Sequence, residues 1–246
     1  MRGFFEFVGE CALLLQDAFR RMFRRPVEWS ETLAQMSFVG VSSVPIVALT
    51  SFFSGAVLSL YLSLFLKQYG AANFVGATVG LTVCREIGPV LAGIMVAARA
   101  GSSMAAQIGT MAVTEQIDAL RMLSVHPTNY VVIPRILAGI LMLPVLVLVS
   151  TWAGVTGGLL IAMSEGIAKG AFMQSVQSFV HPADIIKGMI KGPFFGLIIA
   201  VVACQQGLRT KNGAVGVGQA TTNTVVISMV LIYIANFLLA QVLFKS

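Results

Sequence analysis

Charge is scarce in this chain. Charged residues make up 11% of its 246 positions against 57% hydrophobic residues, and the mean hydropathy is +0.88. A soluble domain could not cover itself with so little polar surface, which leaves a polytopic membrane protein. Cysteine is sparse too. Cys11, Cys84 and Cys204 lie far apart in apolar or amphipathic stretches, so no disulfide framework or zinc site is encoded and all three read as packing residues. The two histidines, His126 and His181, each precede a proline, and neither has a second histidine at ligand spacing, so both read as structural. No Walker motif, cofactor fingerprint or nucleophile with a base is present, so the chain is not expected to hydrolyse ATP by itself, act as an enzyme or hold a cofactor. The glycine-rich 213–220, GAVGVGQA, lacks the Gly-Lys-Ser/Thr ending of a phosphate loop. A net charge of +6 without a dense basic run beside stacking aromatics argues against nucleic acid and is better explained by membrane orientation.

What is there is a series of apolar runs. Residues 3–25 place Phe4, Phe7, Val8, Cys11, Leu14, Leu15, Ala18, Phe19, Met22 and Phe23 at helical spacing, with acidic and basic residues elsewhere. This predicts an amphipathic helix in the headgroup layer, its basic end from Arg20 to Arg25 held at an anionic leaflet, ended by Pro26 and followed by Trp29 as an interfacial anchor. Its acidic residues argue against a signal peptide. After this segment, 1–37, residues 38–246 read as an all-α domain with spans at about 38–66, 74–98, 133–163, 185–207 and 222–244.

Polar residues inside these runs carry the functional argument. In the outer half of the first span Leu58, Leu62, Phe65 and Tyr69, with Leu66 beside them, form an apolar face that is either packing surface or the wall of a lipid pocket. The second span carries Arg85 and Glu86 near mid-membrane, where a charge costs roughly 2.5–3.5 kcal/mol or more and must find a partner or a cavity. Adjacent residues on a helix point in different directions, so these two do not answer each other. Pro89 frees the carbonyl of Arg85 from its helical bond, and an irregular helix at membrane depth lines a cavity or is buried in protein. In the fourth span Gly188, Gly192 and Gly196 form a small-residue seam beside Lys187 and Lys191, and Lys191, a turn deeper, is the better partner for Glu86 or an anionic headgroup. Asn236 is embedded in the fifth span, and 164–184 and 208–220 read as loops.

After the small-residue stretch AARAGSSMAAQIG, Thr114 reads as a side-chain cap for a ten-residue amphipathic helix that stops before His126–Pro127, with Glu115 and Gln116 in its first turn and Ile117, Leu120, Met122 and Leu123 on its apolar side. With the amino terminus inside, Arg2, Arg20, Arg21, Arg24, Arg25, Arg99, Arg121, Arg135, Arg209 and Lys211 are cytoplasmic, against Lys67, Lys169 and Lys245 outside, which puts this connector in the cytoplasm.

CREIGPVLAGIMVAARAGSSMAAQIGTM followed by TEQIDALRMLSVHPTNYVVIPR resembles the MlaE/YrbE family of ABC-transporter permeases, which are associated with MCE-domain lipid carriers. The resemblance covers nearly the whole chain. It implies a homodimer of five-span subunits in the inner (plasma) membrane, bound to two cytoplasmic ATPase subunits and an outer MCE assembly, moving phospholipids or related lipids. It assigns Thr114, Glu115, Gln116, Asp118, Leu120 and Arg121 to ATPase coupling. It makes Glu86, Lys191 and the outer face of the first span candidates for the lipid cavity, and Arg85 and Asn236, polar residues embedded beside them in the sequence reading, are counted with the same substrate site. One departure stands out: relatives can carry an acidic residue where this chain has Asn236. An ATPase-independent ion-coupled transporter or channel, with Arg85, Glu86 and Lys191 as an ion path, is the alternative, and an odd number of spans without an inverted repeat speaks against it.

Overall fold

The computed structural model describes residues 2–22, 28–123 and 125–244, with only the backbone for 2–5. Phe23, Arg24, Arg25, Pro26, Ser124 and Lys245, which carried parts of the reading above, lie outside the described residues. The side chains of Arg2 and Phe4 do as well.

Every regular element among the described residues is helical. Five segments among the described residues are long and apolar enough to cross a membrane: Trp29–Gln68, Ala72–Val113, Thr128–Ser164, Pro182–Leu208 and Gly213–Phe244. Each exceeds the roughly 20 residues that a hydrocarbon core requires. The protein is therefore an all-α polytopic membrane protein. It opens with α1 (Arg2–Met22), and the first span combines α2 (Trp29–Val39), a 3₁₀ turn and α3 (Val44–Gln68). Pro45 does not break this span because it falls in the first turn of α3, where its missing N–H is harmless.

The second span is longer than expected. It runs through α4 (Val75–Thr82), a π-turn at Val83–Ile87, α5 (Gly88–Val96), a second π-turn at Ala97–Gly101 and α6 (Ser102–Val113). The small residues after Ala97 stay helical and do not end the span. The short α7 (Gln116–Met122) follows, then a π-turn at Thr128–Val132 leading into α8 (Ile133–Ser164). The expected 164–184 loop contains a further helix, α9 (Lys169–Phe179), whose polar sequence hid it. Its Phe172 and Ser175 are buried, and the Ser175 hydroxyl accepts the orphan N–H of Ala77 in the first turn of α4 at 2.9 Å.

The fourth span is α10 (Pro182–Leu208), and α11 (Gly213–Phe244) begins nine residues before the expected start of the fifth. Asn212 and Gly213 make the turn between them with positive φ of 66° and 62°, after which GAVGVGQA is helical. Arg99 and Arg135, counted above among the cytoplasmic segments, lie inside the second and third of these long helical segments. His181 and Asp184 define the start of α10: the Asp184 carboxylate accepts the His181 N–H at 3.0 Å, and Pro182 occupies the first helical position.

By contact density the chain forms two compact units, one of residues 1–43, 96–142 and 193–232, the other of 44–95, 143–192 and 233–246. In the first unit Ile108, Ile117, Val132, Ile136, Val201 and Cys204 build the core, with Cys11, Leu14, Ala18 and Met22 of α1 packed against it. Polar contacts flank the packed stripe of α1. Asp17 accepts from Thr128 at 2.7 Å and from Arg21 at 2.6 Å, Arg21 reaches His126 at 2.9 Å, and Glu10 accepts from Gln205 at 2.7 Å. The cost of burying Asp17 is outweighed by the Thr128 and Arg21 hydrogen bonds and the Arg21 charge, so its carboxyl is held below the usual 3.8. Burial, then the charge of Glu10, push the Cys11 thiol up to about 11.

In the second unit Val75, Val79, Val83, Ala162, Ile167 and Phe172 form the core. Gly55 and Gly157 bring α3 and α8 into backbone contact: a Cβ at Gly55 would strike the Gly154 carbonyl, and one at Gly157 would strike that of Phe52. The glycine seam of α10 is used in each unit. Gly188 meets the Cys84 carbonyl and Gly192 meets Pro144 in the second, and Gly196 meets Gly139 in the first.

Candidate functional site

The irregularity expected at Gly88–Pro89 takes the form of the π-turn Val83–Ile87, which places both Arg85 and Glu86 in one widened turn. They answer different partners. Arg85 pairs with Asp184, its Nε donating to the carboxylate at 2.9 Å and Nη2 lying 2.8 Å from it. Glu86 accepts from Lys191 Nζ at 3.0 Å through one oxygen and from the Asn236 amide at 2.8 Å through the other. Lys191, whose side chain is 0% exposed, also donates to Asn236 Oδ1 at 2.9 Å and to the Arg85 carbonyl at 2.7 Å. That carbonyl is the one left without a helical donor by Pro89. The proline thus creates an acceptor and the buried ammonium fills it.

Phe244 completes the cluster. The Arg85, Lys187 and Lys191 cationic groups lie 5.0, 5.4 and 5.3 Å from its ring centroid, within cation–π range. Among the described residues three cations face two carboxylates, Glu86 and Asp184, an excess of one positive charge. The site is not sealed, since the Glu86 and Arg85 side chains are each 40% exposed while Lys191 and Asp184 are buried.

The expected apolar face of the first span divides. Leu58, Leu62 and Leu66 are half-buried against the core of the second unit, whereas Phe65 and Tyr69 are exposed and pack on each other with ring centroids 5.0 Å apart. Leu66, four residues after Leu62, continues the packed stripe, whereas Tyr69 lies beyond the end of α3 at Gln68 with Phe65 stacked on it. Near them Lys67 donates to the backbone carbonyl and the carboxylate of Glu165.

The family model described as Permease MlaE matches residues 32–242. The chain belongs to the MlaE permease family. It is 42% identical to a probable ABC transporter permease protein of Rickettsia conorii over 98% of this chain and 94% of the relative. A probable ABC transporter permease protein of Synechocystis is 40% identical over 95% of this chain and 89% of its own length. The chloroplastic protein trigalactosyldiacylglycerol 1 of Arabidopsis thaliana is 37% identical over 92% of this chain and 65% of its own.

In this MlaE permease the connector differs from its expected form. Thr114 does not cap α7: its hydroxyl donates back to the Thr110 carbonyl at 2.7 Å and closes α6. Because α6 continues to Val113, the chain must turn at once, and Glu115 does so in the left-handed region with φ 60° and no capping bond from its side chain. The helix is seven residues long, not ten. Ile117 is buried and Leu120 half-buried, whereas Glu115, Gln116, Met122 and Leu123 are exposed. Asp118 is exposed as well and pairs with Arg121 at 2.9 Å.

Two residues of the polar cluster escaped the sequence reading. Asp184 looked like loop, although His-Pro-Ala-Asp has the spacing of a helix start that turns its fourth residue back onto the backbone. Phe244 lies at the end of α11, and no local pattern links it to Arg85 or Lys191.

Proposed function

We infer that this MlaE-family permease is the membrane subunit of an ABC-type transporter that moves phospholipid or a related lipid, with ATP hydrolysed by a separate cytoplasmic subunit. The observation that carries the lipid reading is the part-open cluster of Arg85, Glu86, Lys187, Lys191, Asp184 and Asn236, which is polar inside a membrane-spanning fold and has a surplus positive charge suited to a phosphate headgroup. The exposed aromatic pair Phe65–Tyr69 offers apolar surface for acyl chains, with Leu58, Leu62 and Leu66 as the packed side of the same helix. The name of the Arabidopsis relative is that of a galactolipid, which fits a lipid cargo.

The names of the bacterial relatives support an ABC ATPase partner. Its docking surface is assigned to the connector from Thr114 to Arg121, with Glu115, Gln116 and Asp118 as polar contacts and the exposed Met122 and Leu123 as the apolar knob. Leu120 and Arg121 then support the helix, the first by packing and the second by pairing with Asp118. An inner-membrane homodimer with a cytoplasmic amino terminus and an MCE assembly on the outer side completes the proposal. Force from the ATPase would reach the lipid site by rigid-body motion that biases two states of the dimer.

Lipid transfer by the reconstituted transporter tests it. Glu86→Ala and Lys191→Ala should each lower ATP-dependent phospholipid transfer while the ATPase still copurifies; normal transfer in both would remove the cluster from the mechanism. Charge reversal at Glu115 and Asp118 should lower lipid-stimulated ATP hydrolysis or ATPase copurification, and normal values of both would remove the connector assignment.

A further inference from the structure

Arg135 stands in the first turn of α8 and is 5% exposed. A guanidinium does not give up its proton in a protein, so one buried this deeply needs acceptors and, in a low dielectric, a countercharge. Among the described residues it has few of the first and none of the second within ion-pair distance. Nη1 donates to the Val131 carbonyl of the π-turn before α8 at 2.6 Å, and Nη2 donates to Gln107 Oε1 of α6 at 3.1 Å. Nε has no partner, and Arg135 makes no ion pair among the described residues. Arg85 differs, since Asp184 supplies its negative charge.

The uncompensated cation helps line an open cavity of about 510 Å³. Gln107, Thr110 and Gln116, all exposed, bring amide and hydroxyl groups to it, and Ala106 and Met111 provide apolar wall. A buried positive charge, neutral hydrogen-bonding groups and apolar wall together match the phosphate end of an amphiphile. The space is larger than one carboxylate side chain would fill, and it is formed by membrane-spanning helices and the connector beside them.

We propose that this cavity binds the phosphate group of a membrane phospholipid, with Arg135 as its countercharge and Gln107 and Thr110 hydrogen-bonding its oxygens. The site shares no residue with the Arg85–Glu86–Lys191 cluster and does not rest on the transport reading; it requires only that the chain sit in a bilayer. A phosphodiester offers several acceptor oxygens to the planar guanidinium fork and carries the negative charge that Gln107 cannot supply.

The test is lipid binding to the purified full-length protein in detergent, counted by native mass spectrometry. The probes are phosphatidylglycerol, diacylglycerol with the same chains, and inorganic phosphate. Wild type should bind one phosphatidylglycerol per chain that Arg135→Met binds about tenfold more weakly or worse, the consequence of losing one charge-assisted hydrogen bond. Thr110→Leu narrows the rim at an exposed position and leaves Arg135 in place, so it should weaken the same lipid even if Arg135→Met fails to fold. Diacylglycerol should not bind there, and inorganic phosphate should not displace the lipid. Wild-type lipid binding in a folded Arg135→Met, or in Thr110→Leu where Arg135→Met does not fold, would overturn the proposal. Displacement by inorganic phosphate would overturn the lipid assignment in favour of a soluble anion. Loss of self-association in Arg135→Met with an unchanged lipid count would overturn it in favour of a protein carboxylate.

Discussion

Replacing Lys191 with methionine probes the polar cluster most sharply, because the chain length is nearly kept and only the ammonium is lost. Its three acceptors are the Arg85 carbonyl, Glu86 and Asn236. Pro89 cannot give the Arg85 carbonyl its α-helical donor, so Lys191 takes that place, and stranding a buried acceptor costs about 1–3 kcal/mol. The ion pair adds less than a fully buried one would: Glu86 is 40% exposed and can take water, so about 1 kcal/mol is a fair share for it. Lys191→Met should therefore destabilise the protein by about 2–4 kcal/mol. Glu86→Gln should cost less, because the amide oxygen still accepts from Lys191. A double-mutant cycle separates the pair from the stranded carbonyl. In the double variant the Arg85 carbonyl stays empty, so the loss persists, while the pairwise coupling should be about 0.5–1.5 kcal/mol. Reversible unfolding in mixed micelles measures all four corners. A Lys191→Met cost below about 0.5 kcal/mol, the range of surface changes, would refute the claim that the ammonium replaces the helical donor.

Three further outcomes follow from other contacts. Asp184→Asn keeps an acceptor for the His181 N–H but loses the charge facing Arg85, which is 40% exposed, so it should cost about 1–3 kcal/mol in thermal unfolding and leave the helix content by circular dichroism unchanged. Asp17 has its carboxyl held below 3.8, and a depressed folded-state value means that its contribution is full above the unfolded value and is lost as pH falls through the folded one. Docking of α1, followed by proteolysis near residue 23, should thus be unchanged at pH 5 and weaken below about 3.8, a drop that Asp17→Asn abolishes. Cys11, with its thiol pushed up to about 11, should react with maleimide at pH 8 far more slowly than an exposed free thiol; equal rates would contradict its packed position on α1.

Composition and mid-span charge carried most of the fold and part of the site. Runs of apolar residues require five crossings whatever their contacts, and an ion at membrane depth requires a partner, so Lys191 beside Glu86 was legible from four residues of spacing on one helix. The ends of the helices were not. Ala97–Val113 is built from small residues that read equally as linker or as close-packed helix, and only the packing of Gly101 against Ile199 and Gly109 against Thr210 decides for helix. The helix Lys169–Phe179 was missed because its buried face is just Phe172 and Ser175, too few to raise an apolar pattern. Phe244 and the empty countercharge of Arg135 are facts of tertiary placement, which no window of sequence records.

The account turns on lipid phosphate passing beside the Phe244 ring and its three cations. Benzoylphenylalanine in place of Phe244, in the transporter reconstituted with its ATPase and a labelled phospholipid, measures that passage directly. The account predicts a photo-crosslink to phospholipid whose yield changes when ATP is turned over and falls when Lys191→Met is added. A yield indifferent to both, and equal to that from the same probe at the exposed Trp152, would contradict it.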